Sequence, residues 1–538
     1  MVTKHVIQKA VEAARERRFE EAVEVLEGVL SGQPGNEKAR WIMVQCLEQL
    51  KAFDQVQVQL GELLRHASRD LGKITQIALF ARQRGYPLDG VIEAFRKYVE
   101  RSPNSPVGVY NYAYYLGKDG QFEKSIEQYQ RALDLGIRDP EEVHLNLANL
   151  YMDHLGDEEQ ARHHLEAALA GKPDYVQAHF NLGNLAERRG DREEAQACFE
   201  RCLQIEPDNE YALARLADAH EFSGRDDPLL ARLAERAPGS KNVDLHFALG
   251  RAYDQLEAYD EAWPHFVRAN DLDRESFPEY RQSRNEALVR RIIDRCDADW
   301  LSRFSGGSHK PVFVCGMFRS GSTLLEQILA AHPGFTAAGE SEFFPRLVAK
   351  NFPAYPDGLE ALQFDSVTEW KAAHAALCEE RTGGRTRMTD KRPDNFLYVG
   401  LIKAILPGAR FVVTERDWRD VAISIFSTRL GPGQGYATRL QDIRHYLDLH
   451  RELIDHWEGL LGDNLIRVSY EELVNAPRQT VGMLLERLGE EWSDACLEFD
   501  KQQATVGTAS VWQVRQPLKP KSIERWKNYE KYFAEAFG

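Results

Sequence analysis

The stretch PVFVCGMFRSGSTLLEQIL, Pro311 to Leu329, decides the fold of the second half of the chain. Val312-Phe313-Val314-Cys315 is a short β-rich run, Gly316 and Gly321 bracket a tight turn, and the apolar residues that follow have helical spacing. A strand that turns through glycines into a helix aims backbone N–H groups and a helix N-terminus at one point, which suits a phosphate or sulfate group. The spacing Gly316-x4-Gly321 is that of the nucleotide motif GxxxxGK[ST], but Ser322 stands where that motif has Lys. Chemistry at β- and γ-phosphates loses its main point charge without that Lys, and here the positive charge sits inside the loop as Arg319. A kinase built on such a loop needs the missing Lys and an acidic strand end for Mg2+. The blander alternative is a β–α turn without a ligand, against which stands the density of Gly, Arg, Ser and Thr over 316–323.

Outward from this loop, two more β-rich runs follow, Arg410–Thr414 and Leu465–Val468, with helical stretches between them. That alternation predicts an α/β domain with a parallel sheet over 310–538. Upstream, the pattern stays helical through 276–309, a helical linker, and breaks at Ser305-Gly-Gly-Ser-His309. The first 275 residues read as helix pairs. Pro173 and Pro207 are 34 apart, as are Gly183 and Ala217, Ala161 and Ala195, and Gly156 and Gly190. A 34-residue helix–turn–helix period is the tetratricopeptide signature, and the run predicts roughly seven to eight stacked repeats in one superhelix. Small residues at Gly183 and Ala195 allow two helices to approach, and Pro207 stops the second helix. Phe53 to Pro103 fits the pattern poorly. The fold class is therefore multidomain, an all-α repeat superhelix over 1–275 followed by an α/β domain that resembles the phosphate-loop class.

Composition bounds the function. Hydrophobic residues are 43% and charged residues 28% of the 538, ordinary for a globular chain. No apolar run approaches a membrane span, and the first residues have no signal-peptide core. Seven cysteines without a CxxC pair argue for a reducing, cytoplasmic setting, and no Asp/Glu/His cluster has metal-ligand spacing, so no metal is expected. The net charge is −16, unevenly shared: residues 301–538 hold 29 Lys and Arg against 31 Asp and Glu, leaving 39 against 53 in the first 300. An acidic repeat array excludes general nucleic-acid binding and suits a basic protein or peptide.

The segment Gly316–Phe344, GMFRSGSTLLEQILAAHPGFTAAGESEFF, resembles the 5′-phosphosulfate loop of sulfotransferases. Together with the repeats, it makes the chain similar to bacterial tetratricopeptide–sulfotransferase proteins and, more distantly, to protein-tyrosine sulfotransferases. The resemblance covers about 310–538 and implies 3′-phosphoadenosine 5′-phosphosulfate (PAPS) as sulfuryl donor. Phe318 departs from the usual Pro and Ser322 from the usual Thr. The loop residues Arg319, Ser320, Gly321, Ser322 and Thr323 would cradle the phosphosulfate. In Arg410–Ser424 the family's Arg and Ser, eight apart, match Arg416 and Ser424, which would hold the 3′-phosphate. A guanidinium fork and a hydroxyl are apt for that task. Transfer also needs a base for the acceptor hydroxyl and cations at the leaving oxygen. The resemblance implies Glu340 as base, with Glu342 in reserve, and Lys391 beside Arg319 as the cations. His332 reads as structural. Tyr470 is an adenine-side candidate or a core residue, and Ser510 and Arg515 of the C-terminal segment would close over the nucleotide. The acceptor carries a hydroxyl, on a tyrosine peptide, a carbohydrate or a small molecule. The repeats would present such a peptide or serve a homo-oligomer. A scaffold with an inactive nucleotide-binding domain is the alternative from another class.

Overall fold

The computed structural model describes residues 2–304, 309–384, 386–431, 433–499 and 522–537. Among the described residues, Val2 to Ser276 holds sixteen α-helices in eight helix–turn–helix pairs. Many start on a polar cap: Asn36, Asp157, Asp191, Asn209 and Asn242 each accept from the backbone N–H three residues on, worth about 1 kcal/mol apiece. The helix Arg192–Ile205 ends two residues before Pro207, as its missing N–H requires. The poorly matching stretch after Phe53 is helical as well, over Phe53–Ala67, Leu71–Arg84 and Asp89–Arg101. There Leu60, Leu63, Ile74, Ile77 and Phe95 bury the apolar face, together with Ala67, Ala78 and Ala81. Where the repeat's small-residue pattern holds, it does so for steric reasons. A Cβ on Gly183 would stand 2.5 Å from the Phe199 ring, and one on Gly250 would stand 2.5 Å from the Phe266 ring. Both glycines and both phenylalanines lie 67 residues apart, equivalent positions two repeats on.

The chain divides into two compact units, Met1–Leu182 and Gly183–Gly538. The second unit contains the last repeat helices together with a five-stranded parallel sheet. Its strands are β1 (Val312–Gly316), β2 (Phe335–Ala337), β3 (Arg387–Lys391), β4 (Arg410–Glu415) and β5 (Leu465–Ser469), in the order β2-β3-β1-β4-β5. Alternation along the strands feeds two cores. Phe313, Cys315, Phe411, Val413 and Leu465 face the helices Gln282–Arg295, Val399–Ile405 and Leu440–Leu461. Val312, Val314, Val412, Ile466 and Val468 face the helices Ser322–Ala331 and Pro477–Leu488. Each such fully buried side chain contributes about 1.5–3 kcal/mol. Helix Gln282–Arg295, within the expected linker, thus packs on the sheet through Val289 and Ile292.

A third cluster joins the repeat helices Val243–Gln255 and Tyr259–Ser276 to the helices Trp418–Phe426 and Glu530–Phe537, through Phe247, Phe266, Val421, Ile425 and Phe533. Two strands were not expected from the sequence. β2 is only three residues long, and β3 (RMTDK) reads as polar, yet Thr389, Asp390 and Lys391 are buried. From β1 the chain runs toward β2 and β3, then crosses to β4 on the other side of β1. The carboxyl ends of β1 and β4 therefore flank the crevice where open parallel sheets bind ligands. No described helix is long and apolar enough to cross a membrane.

Candidate functional site

The turn after β1 is held open by its backbone. Gly316 (φ +148°) has no room for a Cβ, which would meet Thr414 O at 2.7 Å, and a Cβ on Gly321 (φ +103°) would strike the Tyr470 ring at 2.5 Å. Arg319 itself sits at φ +68°, a left-handed conformation that costs a non-glycine residue on the order of 1 kcal/mol or more. Ser320 Oγ donates to Met317 O at 2.6 Å and lies 2.6 Å from Thr414 Oγ1, tying the turn to β4. Helix Ser322–Ala331 then starts without a side-chain cap, so its first N–H groups and its positive end face the turn. Ser322 is buried and Thr323 half-buried at this helix start.

A group of guanidiniums surrounds the turn. Arg319 Nε donates to Ser424 Oγ at 3.0 Å, and Arg416 Nη1 donates to Arg319 O at 3.1 Å. Arg416 also donates to Ser522 O and lies over the Tyr470 ring at 4.6 Å. Its Nε is buried without a hydrogen-bond partner among the described residues. Burial, and then the charges of Arg416, Arg525 and Arg251, push the Arg319 guanidinium down to about 10. Burial also lowers Arg416, with Arg525 again opposing its charge. Arg525 bonds Asp254 at 3.0 Å, and Arg251 bonds Asp218 at 2.6 Å. These two cations and their carboxylates escaped the sequence reading, because Asp218, Arg251 and Asp254 lie in repeat helices distant along the chain. Asp420 accepts from the backbone N–H of Glu524 and Trp526, and Arg419 covers the Trp526 ring at 3.8 Å, fixing the C-terminal segment onto helix Trp418–Phe426.

The second group forms at β3. Ala338 N donates to Thr389 O at 2.8 Å and Lys391 N to Gly339 O at 2.9 Å, extending the β2–β3 ladder past Ala337. This places Glu340 beside Lys391, Nζ to Oε1 2.6 Å, with Lys391 1% exposed and Glu340 39%. Glu342 instead pairs with Arg392. Beneath them Glu326 is fully buried and accepts from Gly339 N at 3.2 Å. Burial pushes its carboxyl up to about 7, Lys391 opposing and Glu340 adding to the rise. Burial likewise lifts Asp390 to about 8, despite the bond from Asn395 Nδ2 at 3.0 Å. Glu326, Asp390 and Asn395 were missed by sequence reasoning. The signal for Glu326 was there: a lone acid inside the apolar run Leu324–Leu329.

The structure thus brings Arg319, Ser320, Gly321, Arg416, Ser424 and Tyr470 together at the ends of β1, β4 and β5, and joins Glu340 to Lys391 at the ends of β2 and β3. Ser510 and Arg515 lie outside the described residues. His332 holds a turn, bonding Glu491 O and accepting from Gly334 N. A cavity of about 430 Å³ opens beside the turn, lined by Met317, Ser320, Thr414, Arg416, His450 and Ser469 among others.

Residues 311–494 match the Sulfotransferase family, and residues 13–71, 110–174 and 176–209 match tetratricopeptide repeats. An uncharacterized protein of Aquifex aeolicus is 30% identical over 365 residues, covering 64% of this chain and 47% of that one. Protein-tyrosine sulfotransferase 1 of Danio rerio is 26% identical over 235 residues, covering 40% of this chain and 63% of its own. The chain therefore spans less than two thirds of the length of these relatives. The sulfotransferase domain of the Synechococcus PCC 7002 olefin synthase aligns with TM-score 0.32 and 19% identity, over 44% of this chain and 98% of that domain. The chain combines tetratricopeptide repeats with a sulfotransferase-family domain.

Proposed function

We propose that the chain transfers a sulfuryl group from PAPS to a hydroxyl acceptor. The observation that carries this is the buried guanidinium cluster at the turn, where cations depress one another and Arg416 Nε has no partner among the described residues. Asp254 and Asp218 answer Arg525 and Arg251, which leaves Arg319 and Arg416 as the desolvated cations that an anion would stabilise. The backbone of residues 319–323 and the uncapped helix start take the 5′-phosphosulfate. Arg416 and Ser424 take the 3′-phosphate, and Tyr470, under Arg416, flanks the nucleoside. Ser510 and Arg515 are assigned to the nucleotide by family likeness alone.

Bound PAPS supplies the sulfuryl group. Glu340, between Lys391 and solvent, receives the acceptor's proton as the acceptor oxygen bonds to sulfur. Lys391 and Arg319 stabilise the charge left on the nucleotide's phosphate oxygen when its bond to sulfur breaks. Glu326 touches neither partner; through Gly339 N it positions the turn that carries Glu340. The acidic first 300 residues favour a basic protein or peptide as acceptor, and the family likeness alone suggests a tyrosine hydroxyl on it.

The test is thermal denaturation of wild type and Arg416→Ala with 3′,5′-adenosine bisphosphate or ATP–Mg. A ligand that binds only the folded state raises Tm. The bisphosphate should raise the wild-type Tm and raise it less in the variant. A shift with ATP–Mg alone would overturn the reading.

A further inference from the structure

The spacing of cysteines and histidines along the chain argued against a metal site, yet the fold gathers one set of ligating side chains. His309, His374 and Cys378 are the one group of three or more His, Cys, Asp or Glu among the described residues whose ligand atoms lie together, all within 4.8 Å. His374 and Cys378 are four apart on helix Phe364–Thr382 and so share a face. His309 arrives from the chain just before β1, and Met388 from β3. Cys378 Sγ lies 3.4 Å from His309 Nε2, 3.5 Å from His374 Nδ1 and 3.7 Å from Met388 Sδ.

We propose that His309, His374 and Cys378, with Met388 alongside, bind a thiophilic d10 metal ion, Zn2+ or Cu+. The distances are the argument. Metal–sulfur bonds of about 2.3 Å and metal–nitrogen bonds of about 2.0 Å at a tetrahedral ion imply S···N edges of about 3.5 Å and S···S edges of about 3.8 Å. Three such edges already meet at Cys378 Sγ. One sulfur is thus the shared neighbour of two imidazoles and a thioether, and His374 and Cys378 are buried. The mixed imidazole, thiol and thioether set selects soft or borderline ions over Mg2+ or Ca2+.

The surroundings fit a bound ion as well. The His374 ring packs against Phe343 and Phe344 at 5.1 and 5.8 Å, an apolar wall, while half-exposed His309 leaves a path to solvent. The ion would pin the approach to β1, helix Phe364–Thr382 and β3, whose last residue is Lys391. Phe343 directly follows Glu342. Its role is structural support beneath the Glu340–Lys391 pair.

The test uses the reduced full chain with Co2+, Zn2+ and, anaerobically, Cu+. One equivalent of Co2+ should give a thiolate-to-cobalt charge-transfer band. Zn2+ or Cu+ should displace it, and Zn2+ should raise Tm. Cys378→Ser should lose both the band and the Zn2+-dependent rise, Cys198→Ser should keep both, and His309→Gln should weaken affinity at least about 100-fold. If Cys378→Ser does not fold, His309→Gln, altered at a half-exposed position, carries the same comparison. A wild-type chain without the band, a band that survives Cys378→Ser, or a metal affinity unchanged in His309→Gln overturns the proposal and leaves a thiol–imidazole hydrogen-bond group.

Discussion

The two halves of one sheet edge hold their charges in opposite ways. At the ends of β1 and β4, guanidiniums crowd one another, and Arg319 is driven down to about 10 by burial and by three further arginines. At the ends of β2 and β3, one buried lysine stands among carboxylates, and burial drives Glu326 up to about 7 and Asp390 up to about 8. Both perturbations begin with desolvation, which penalises whichever charged form is buried. They differ in the counter-charge within reach. The arginine side gives Arg416 backbone carbonyls and an Nε without a partner among the described residues, with Asp420 and Glu471 opposing its desolvation only from farther off. The lysine side carries its own anions and holds spare protons. The first half is suited to gripping a charged group and the second to managing a proton.

Neutralising the acid at the lysine side should break this comparison most sharply. Glu340→Gln should lower turnover about 10²–10⁴-fold, the usual range for a general base. Glu342→Gln, which leaves Arg392 its pairing with Asp394 at 2.8 Å, should change it less than about threefold, since a solvent-exposed ion pair contributes roughly 0–1 kcal/mol. Steady-state kinetics of both variants decide between the two carboxylates; equal losses would remove Glu340 as base. Lys391→Met should come next, with kcat down about 10²–10³-fold, comparable with removing one transition-state donor. Because Lys391 is itself buried, the same variant should also lose stability, read by urea denaturation. Retained kcat would place charge stabilisation on the arginine side alone.

The smallest effect concerns pH. Glu326 is raised above its unfolded value, so below about 7 the folded state holds a proton that the unfolded state releases above about 4.5. Stability contributed this way is full at low pH and is lost as pH rises through about 7, at up to about 1.4 kcal/mol per pH unit. Asp390 adds the same sign over a window reaching about 8. Urea midpoints between pH 5.5 and 8 should fall with pH, and Glu326→Gln, which cannot release the proton, should flatten the slope. An unchanged slope in the variant would assign it to other groups.

Much of the anion side was legible in the chain. Gly316, Arg319 and Gly321 lie within one strand–turn–helix, and Arg416 and Ser424 within another, so local spacing alone places them at two strand ends. The lysine side was legible only in pieces. Glu340 and Lys391 were singled out by family likeness, but their pairing depends on the β2–β3 ladder. β3 hides that ladder behind a charged sequence, and Glu342, two residues on, looks equivalent until Arg392 is seen to claim it. The ligand cluster at Cys378 was not legible at all. His309 and His374 are 65 residues apart, and no motif spacing links them.

The sequence by itself determined the repeat period, the alternation that makes a parallel sheet, and the glycine turn between strand and helix. Each of these is set within a few tens of residues by periodicity and by the backbone freedom of glycine. Only the tertiary structure decided which carboxylate meets Lys391, that Glu326 lies buried beneath them, and that repeat-borne Arg251 adds its charge to the arginine cluster. Those outcomes depend on desolvation and on contacts between segments far apart along the chain, and both exist only once the sheet and its helices have closed around them.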